Sequence, residues 1–127
     1  MAFPEFRHDP TELIVLAVLG EEPLYGYAIT KRVAARSGGD IRLSPGVLYP
    51  LLSAMERQGL ISSTWDAVKS ERHADSDDAD EGAGRKRKWY RLTAKGRKRL
   101  SQHAEAHRAY SAMIESFLAP RPREERA

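Results

Sequence analysis

Apolar residues recur at helical spacing in four stretches of this chain, and three shorter runs read as strands. The sharpest stretch runs from Ser44 to Leu60. Leu48, Leu51, Leu52 and Met55 share one helical face. Gly46, Val47, Tyr49, Pro50 and Ser53 make an opposite face that is small, uncharged and carries one phenol. Ser44 reads as the N-cap, its side-chain oxygen accepting from an orphan backbone N–H, and Pro45 as the first helical residue. Gly59 reads as the left-handed stop. Pro50 conflicts with a helix that begins at Pro45, so the helix either starts nearer Gly46 or Val47 or is kinked.

Upstream, Asp9-Pro10-Thr11-Glu12 is a capping-box pattern that opens a nearly buried helix through Leu13, Ile14, Leu16, Ala17 and Val18, stopped by Gly20. A second helix follows Leu24-Tyr25-Gly26-Tyr27 and runs to about Arg36, with Ala28, Ile29 and Val33 inward. Ile41 and Leu43 flank Arg42 as a very short strand. Downstream, Leu60 to Trp65 and Lys88 to Thr93 are β-branched and aromatic, and predict two strands. Thr93 caps a last helix reaching about Leu118. On it Leu100, His107 and Ile114, and likewise His103, Tyr110 and Phe117, recur by sevens, which predicts a helix–helix seam.

In order these elements are helix, helix, short strand, helix, strand, long loop, strand, helix. The fold class is therefore mainly α with a small β-hairpin: a winged helix-turn-helix with a C-terminal dimerisation helix. Residues 1–9 form a tail or arm, and 10–93 the winged helix-turn-helix DNA-binding domain with a long wing loop over 67–87. Residues 94–119 form the dimerisation helix and 120–127 a disordered tail. In such a fold the third helix enters the major groove of double-stranded DNA and the wing reaches the backbone or an adjacent minor groove.

Composition narrows the function. The chain has 127 residues, 41% hydrophobic and 31% charged, which suits one soluble domain. It has no cysteine, no run long enough to span a membrane and no signal-peptide pattern, so a cytoplasmic location is expected. Net charge is only +3, but Glu71 to Glu81 holds six acids against one arginine, whereas Arg85 to Arg99 holds nine bases and no acid. That clustering points to a polyanion partner. Arg85, Lys86, Arg87 and Lys88 are candidate phosphate contacts; a solvated charge run neutralised by the acidic loop is the alternative. A combined reading folds Asp75 to Glu81 back over the wing to suppress non-specific binding.

Tyr49 is the leading candidate for DNA contact through its hydroxyl, against half-buried packing on Leu52 and the wing. His103 and His107 are spaced to share a metal, but ligand partners are lacking; polar packing or a pH-sensitive dimer competes, and no metal or cofactor is expected. Trp65, Trp89, Tyr110, Met113 and Phe117 either line a pocket for a small apolar or aromatic effector or form plain core. There is no nucleophile–base pair and no phosphate loop, so an enzyme is not expected. A winged-helix protein–protein adaptor without DNA is the competing class.

The chain resembles the PadR family of transcriptional regulators across roughly Thr11 to Gln102. The matching residues are Leu13 to Leu19, Tyr25 to Ile29, Leu43 to Leu52, Met55 to Ile61, Gly84 to Thr93, and Gly96. The resemblance implies a homodimeric repressor on a pseudo-palindromic operator, often released by a small molecule, with Tyr25, Ser44 and Pro45 joining the DNA-facing residues above. Val47 departs from the small polar residue common at its position, and the acidic loop is longer than usual. The short C-terminal part fits the smaller subgroup with one dimerisation helix.

Overall fold

The computed structural model describes residues 10–67 and 86–120. The chain folds as α1 (Thr11–Glu21), β1 (Leu24–Tyr25), α2 (Gly26–Arg36), α3 (Pro45–Arg57), β2 (Ile61–Ala67), β3 (Lys86–Leu92) and α4 (Ala94–Leu118). The strands form one antiparallel sheet in the order β1-β3-β2. Tyr25 pairs with Trp89, and on the other side Thr64 also pairs with Trp89.

The core lies between the helices and the inner face of this sheet. Leu16, Ile29, Leu48, Leu52, Met55, Leu60 and Ile61 are fully buried, and Leu24, Tyr90 and Leu92 close the sheet side. Helix α3 ends as its glycine anticipates. The Leu60 N–H donates to the Met55 carbonyl and the Gly59 N–H to that of Glu56, a Schellman closure with Gly59 at φ 80°. Thr93 accepts from the Gly96 N–H at 3.0 Å and donates its hydroxyl proton to the Gly59 carbonyl at 2.6 Å. The residue that starts α4 therefore also fastens it to the corner where α3 becomes β2. A Cβ on Gly96 would lie 2.0 Å from the Leu60 carbonyl oxygen, so only glycine lets the two backbones meet.

Several expectations need correction. Ile41 and Leu43 form no strand; Leu43 is buried, but this segment has no ladder neighbour. The third strand is Leu24–Tyr25, too short to show alternation in sequence and defined only by its pairing with β3. Both hairpin strands reach further out than expected, to Ala67 and Lys86. Helix α1 continues through Gly20 to Glu21 with Pro10 at its cap position, and Asp9 lies outside the described residues. It is also less buried than its composition suggests: Val15, Leu16, Val18 and Leu19 are inside, but Ala17 is exposed and Leu13 half-buried.

Helix α3 starts at Pro45 and runs unbroken through Pro50. The bond that Pro50 lacks would have gone to the Gly46 carbonyl, and both residues are exposed, so the loss falls on the solvent side. The acidic run Glu71 to Glu81, Arg85, the N-terminal arm and the last residues of the tail lie outside the described residues.

Candidate nucleic-acid interface

The outer face of α3 carries every residue that the sequence singled out on it. Ser44, Pro45, Gly46, Val47, Tyr49, Pro50 and Ser53 are all exposed, while Leu48, Leu52 and Met55 beneath them are sealed. Arg57, one further turn along, is exposed too and extends the face with a cation. Its place was legible from the four-residue step after Ser53 but lay hidden in the helix's exit sequence. No acid occupies the first turn of α3. The positive end of the helix dipole is therefore not neutralised locally.

Ser44 behaves differently from its expected role. It stands at the N-cap position, with φ −78° and ψ 158°, but its side chain makes no cap hydrogen bond. Its backbone carbonyl accepts from the Val47 and Leu48 N–H groups instead, at 3.0 and 2.8 Å. With proline at the first helical position one orphan donor is already gone, and the hydroxyl is not engaged in capping.

Tyr49 is 43% exposed, yet the hydroxyl end of its ring lies against the start of α2. A Cβ on Gly26 would meet the phenol oxygen at 2.2 Å, so a side chain there would displace the ring. Behind it, burial together with Tyr49 and Glu56 pushes the Tyr90 phenol up to about 12. Tyr49 is thus partly packed on the start of α2 and partly exposed.

The wing divides its charges by the pleat. Tyr25, Arg87 and Trp89 share the outer face: the Arg87 guanidinium sits 4.1 Å over the Tyr25 ring, and Tyr25 meets Trp89 edge-on at 5.1 Å. Lys88 faces the other way, with its Nζ 3.7 Å from Glu56 Oε1 on α3. Lys86 begins β3, opposite Ala67. Further along, Arg99 is drawn off by Glu12 at 2.8 Å. The basic run is therefore less uniformly presented than its sequence suggests.

A second surface lies at α4. Its first half docks on α1, with Leu100 against Gly20, and the two helices leave an open groove of about 610 Å³. Leu13, Ala17, Leu100, Ala104 and His107 line it. Beyond it Ile114 is half-exposed, while Phe117 and Leu118 are 76% and 71% exposed. His103 and Tyr110 are half-buried on the same helix. The five aromatic and sulfur side chains considered for effector or core are neither buried nor on this groove: Trp65 is 61% exposed on β2, and Trp89 lies on the outer sheet face. Trp89, Tyr110 and Met113 are half-buried and Phe117 is exposed, so none of the five belongs to the fully buried core. Among the described residues no set of three or more His, Asp or Glu is placed to hold a metal, and no helix is long and apolar enough to cross a membrane.

Three helices, a recognition-type α3 with an open face, and a hairpin immediately after it define a winged helix-turn-helix protein. The model of the PadR-like transcriptional regulator family matches residues 15–102, and the chain belongs to that family. Its members are transcriptional regulators, not enzymes. Among solved structures, the PadR family transcriptional regulator from Eggerthella lenta is similar at TM-score 0.70 and 29% identity, covering 93% of this chain and 89% of that one. A PadR-like regulator from Bacillus cereus is similar at TM-score 0.67 and 25% identity, covering 88% and 94%. The transcriptional regulator YqjI of Escherichia coli is 33% identical over 57 residues, which are 45% of this chain and only 28% of that relative.

Proposed function

We propose that the chain is a homodimeric, cytoplasmic repressor that binds a pseudo-palindromic operator in double-stranded DNA through α3 and the wing. The observation that carries this reading is the outer face of α3: seven contiguous-face residues from Ser44 to Ser53 exposed, without an acid in the first turn. Small residues let the helix backbone approach phosphates, and hydroxyls of Ser44, Tyr49 and Ser53 supply donors. Tyr25 and Arg87 share the outer face of the wing as phosphate contacts, and Arg85 and Lys86, which precede Arg87 in sequence, belong to the same reading.

The apolar end of α4 supports dimerisation. Large side chains at Ile114, Phe117 and Leu118 gain by being dried against a second copy, and Leu100, His103, His107 and Tyr110 continue the stripe toward the domain. Release by a small apolar or aromatic effector belongs to the same reading, supported by the groove between α1 and α4.

The test is binding to the protein's own upstream DNA across a salt series, comparing wild type with Val47→Glu. Val47 is 51% exposed, so the fold survives while a negative charge enters the face. Operator-selective binding with a steep salt dependence, abolished in the variant, is expected. Selective binding that persists in V47E removes α3 as the reading element. Absence of any duplex binding by the wild type leaves the adaptor class.

A further inference from the structure

Glu56 reaches both strands of the wing from the last turn of α3. Ser63 on β2 donates its hydroxyl proton to Glu56 Oε2 at 2.7 Å, and Lys88 on β3 places its ammonium 3.7 Å from Glu56 Oε1. The same ammonium lies 5.7 Å from the centres of the Trp65 and Tyr90 rings. Ser63 pairs with Tyr90 and Trp65 with Lys88, so two successive same-face pairs of the ladder meet here, with Ser63 and Lys88 on the carboxylate and Trp65 and Tyr90 around the ammonium. That face is the one turned toward α3, since Tyr90 on it is buried.

The clasp is poorly placed to serve stability alone. The Glu56 and Lys88 side chains keep 36% and 35% exposure, where ion pairs are screened and contribute little. Its geometry is more informative: it joins α3 to two strands at once, beyond the corner where Gly59 already turns the chain. The corner and the pairing of β3 with β1, which reaches Trp89, hold the base of the ribbon; one carboxylate bonded to both strands adds a direct tie from α3 to the wing.

We propose that Glu56 is a positioning residue of the DNA-binding surface, holding the wing at a fixed angle to α3 through Ser63 and Lys88 and withdrawing Lys88 from phosphate contact. This rests on the DNA-binding reading above. Lys88, adjacent to Arg87 in sequence, then serves the helix–wing joint, whereas Arg87 on the opposite face serves the polyanion.

The experiment measures affinity for the upstream duplex and for a scrambled duplex of the same length across a salt series, with the full chain. Glu56→Gln keeps an acceptor for Ser63 but loses the charge pair. The operator-to-scrambled ratio should fall about tenfold in E56Q, the size of one lost base-pair match. The logarithmic salt slope should steepen by about 0.9 as Lys88 is released to a phosphate. In E56Q/K88M the slope should return to the wild-type value. Lys88→Met alone should lower the ratio as E56Q does, with no change of slope. A slope that becomes shallower by about 0.9 in K88M alone places Lys88 on phosphate in the wild type and overturns the proposal. So does an E56Q protein that melts earlier but keeps ratio and slope. If the wild type itself shows no duplex binding, the DNA-binding reading fails and the inference with it, an outcome distinct from the other two.

Discussion

Helices α3 and the distal half of α4 both present uncharged residues to solvent, but of opposite kinds. Helix α3 hides its large side chains, Leu48, Leu52 and Met55, and shows Gly46, Pro50 and Ser53. The end of α4 hides nothing and shows Phe117 and Leu118. A small, hydroxyl-bearing surface lets backbone come close to a hydrated, charged groove, where bulk would hinder. A large apolar surface gains only when water leaves it. In the proposed function the first faces a polyanion and the second a copy of this chain.

The comparison breaks first at the core. Leu52→Ala should cost about 3 kcal/mol in chemical denaturation because a fully buried side chain leaves a cavity, whereas Phe117→Ala should leave the stability of the isolated protomer within about 0.5 kcal/mol. Equal losses would mean that Phe117 belongs to the protomer's core after all. Next in size is the junction of the two helices. Gly96→Ala forces a Cβ into the Leu60 carbonyl and should lower stability by about 1–3 kcal/mol, seen as an earlier melting transition. An unchanged melt would show that α4 can shift on its base.

Phe117→Asp sharpens the comparison from the other side. Sedimentation should show a dimer weakened by roughly tenfold or more, with protomer circular dichroism preserved, since a charge replaces apolar area of about 1.5–3 kcal/mol in transfer free energy. A dimer as tight as wild type would move the seam elsewhere.

The smallest effect lies beneath α3. Tyr90 is held protonated, its phenol raised from 10.0 to about 12 mainly by burial. Above pH 10 the unfolded chain gives up this proton first and the folded chain retains it. Stability is therefore fully present below pH 10 and falls between about pH 10 and 12. Tyr90→Phe should flatten that part of the pH–stability curve, while a curve unchanged by the substitution would mean that the phenol is solvated in the fold.

Much of this was legible in the residues. The end of α3 and the bounds of α4 follow from Gly59, Thr93 and Pro120, because caps and breakers act within a few residues of where they stand, whereas Pro50 left the start of α3 open between Pro45 and Gly46 or Val47. The exposed face of α3 follows from the same helical period that identifies its core. What could not be read was pairing at a distance. Leu24–Tyr25 is a strand only because β3 lies beside it, and Ile41 and Leu43, with a better local pattern, have no such neighbour. Lys86 to Lys88 looked like one basic patch, although the pleat sends Arg87 to Tyr25 and Lys88 to Glu56.

By itself, then, the sequence determined the four helices, the hairpin and their order, the small outer face of α3 and the apolar stripe of α4. All of these depend on periodicity and on local backbone chemistry. Only the tertiary structure decided which charges are presented and which are spent, since an ion pair depends on what the fold brings within a few ångströms. Glu12 with Arg99, and Glu56 with Ser63 and Lys88, are such meetings. The same holds for Gly26 and Gly96, whose missing side chains have meaning only against the Tyr49 ring and the Leu60 backbone that pass there.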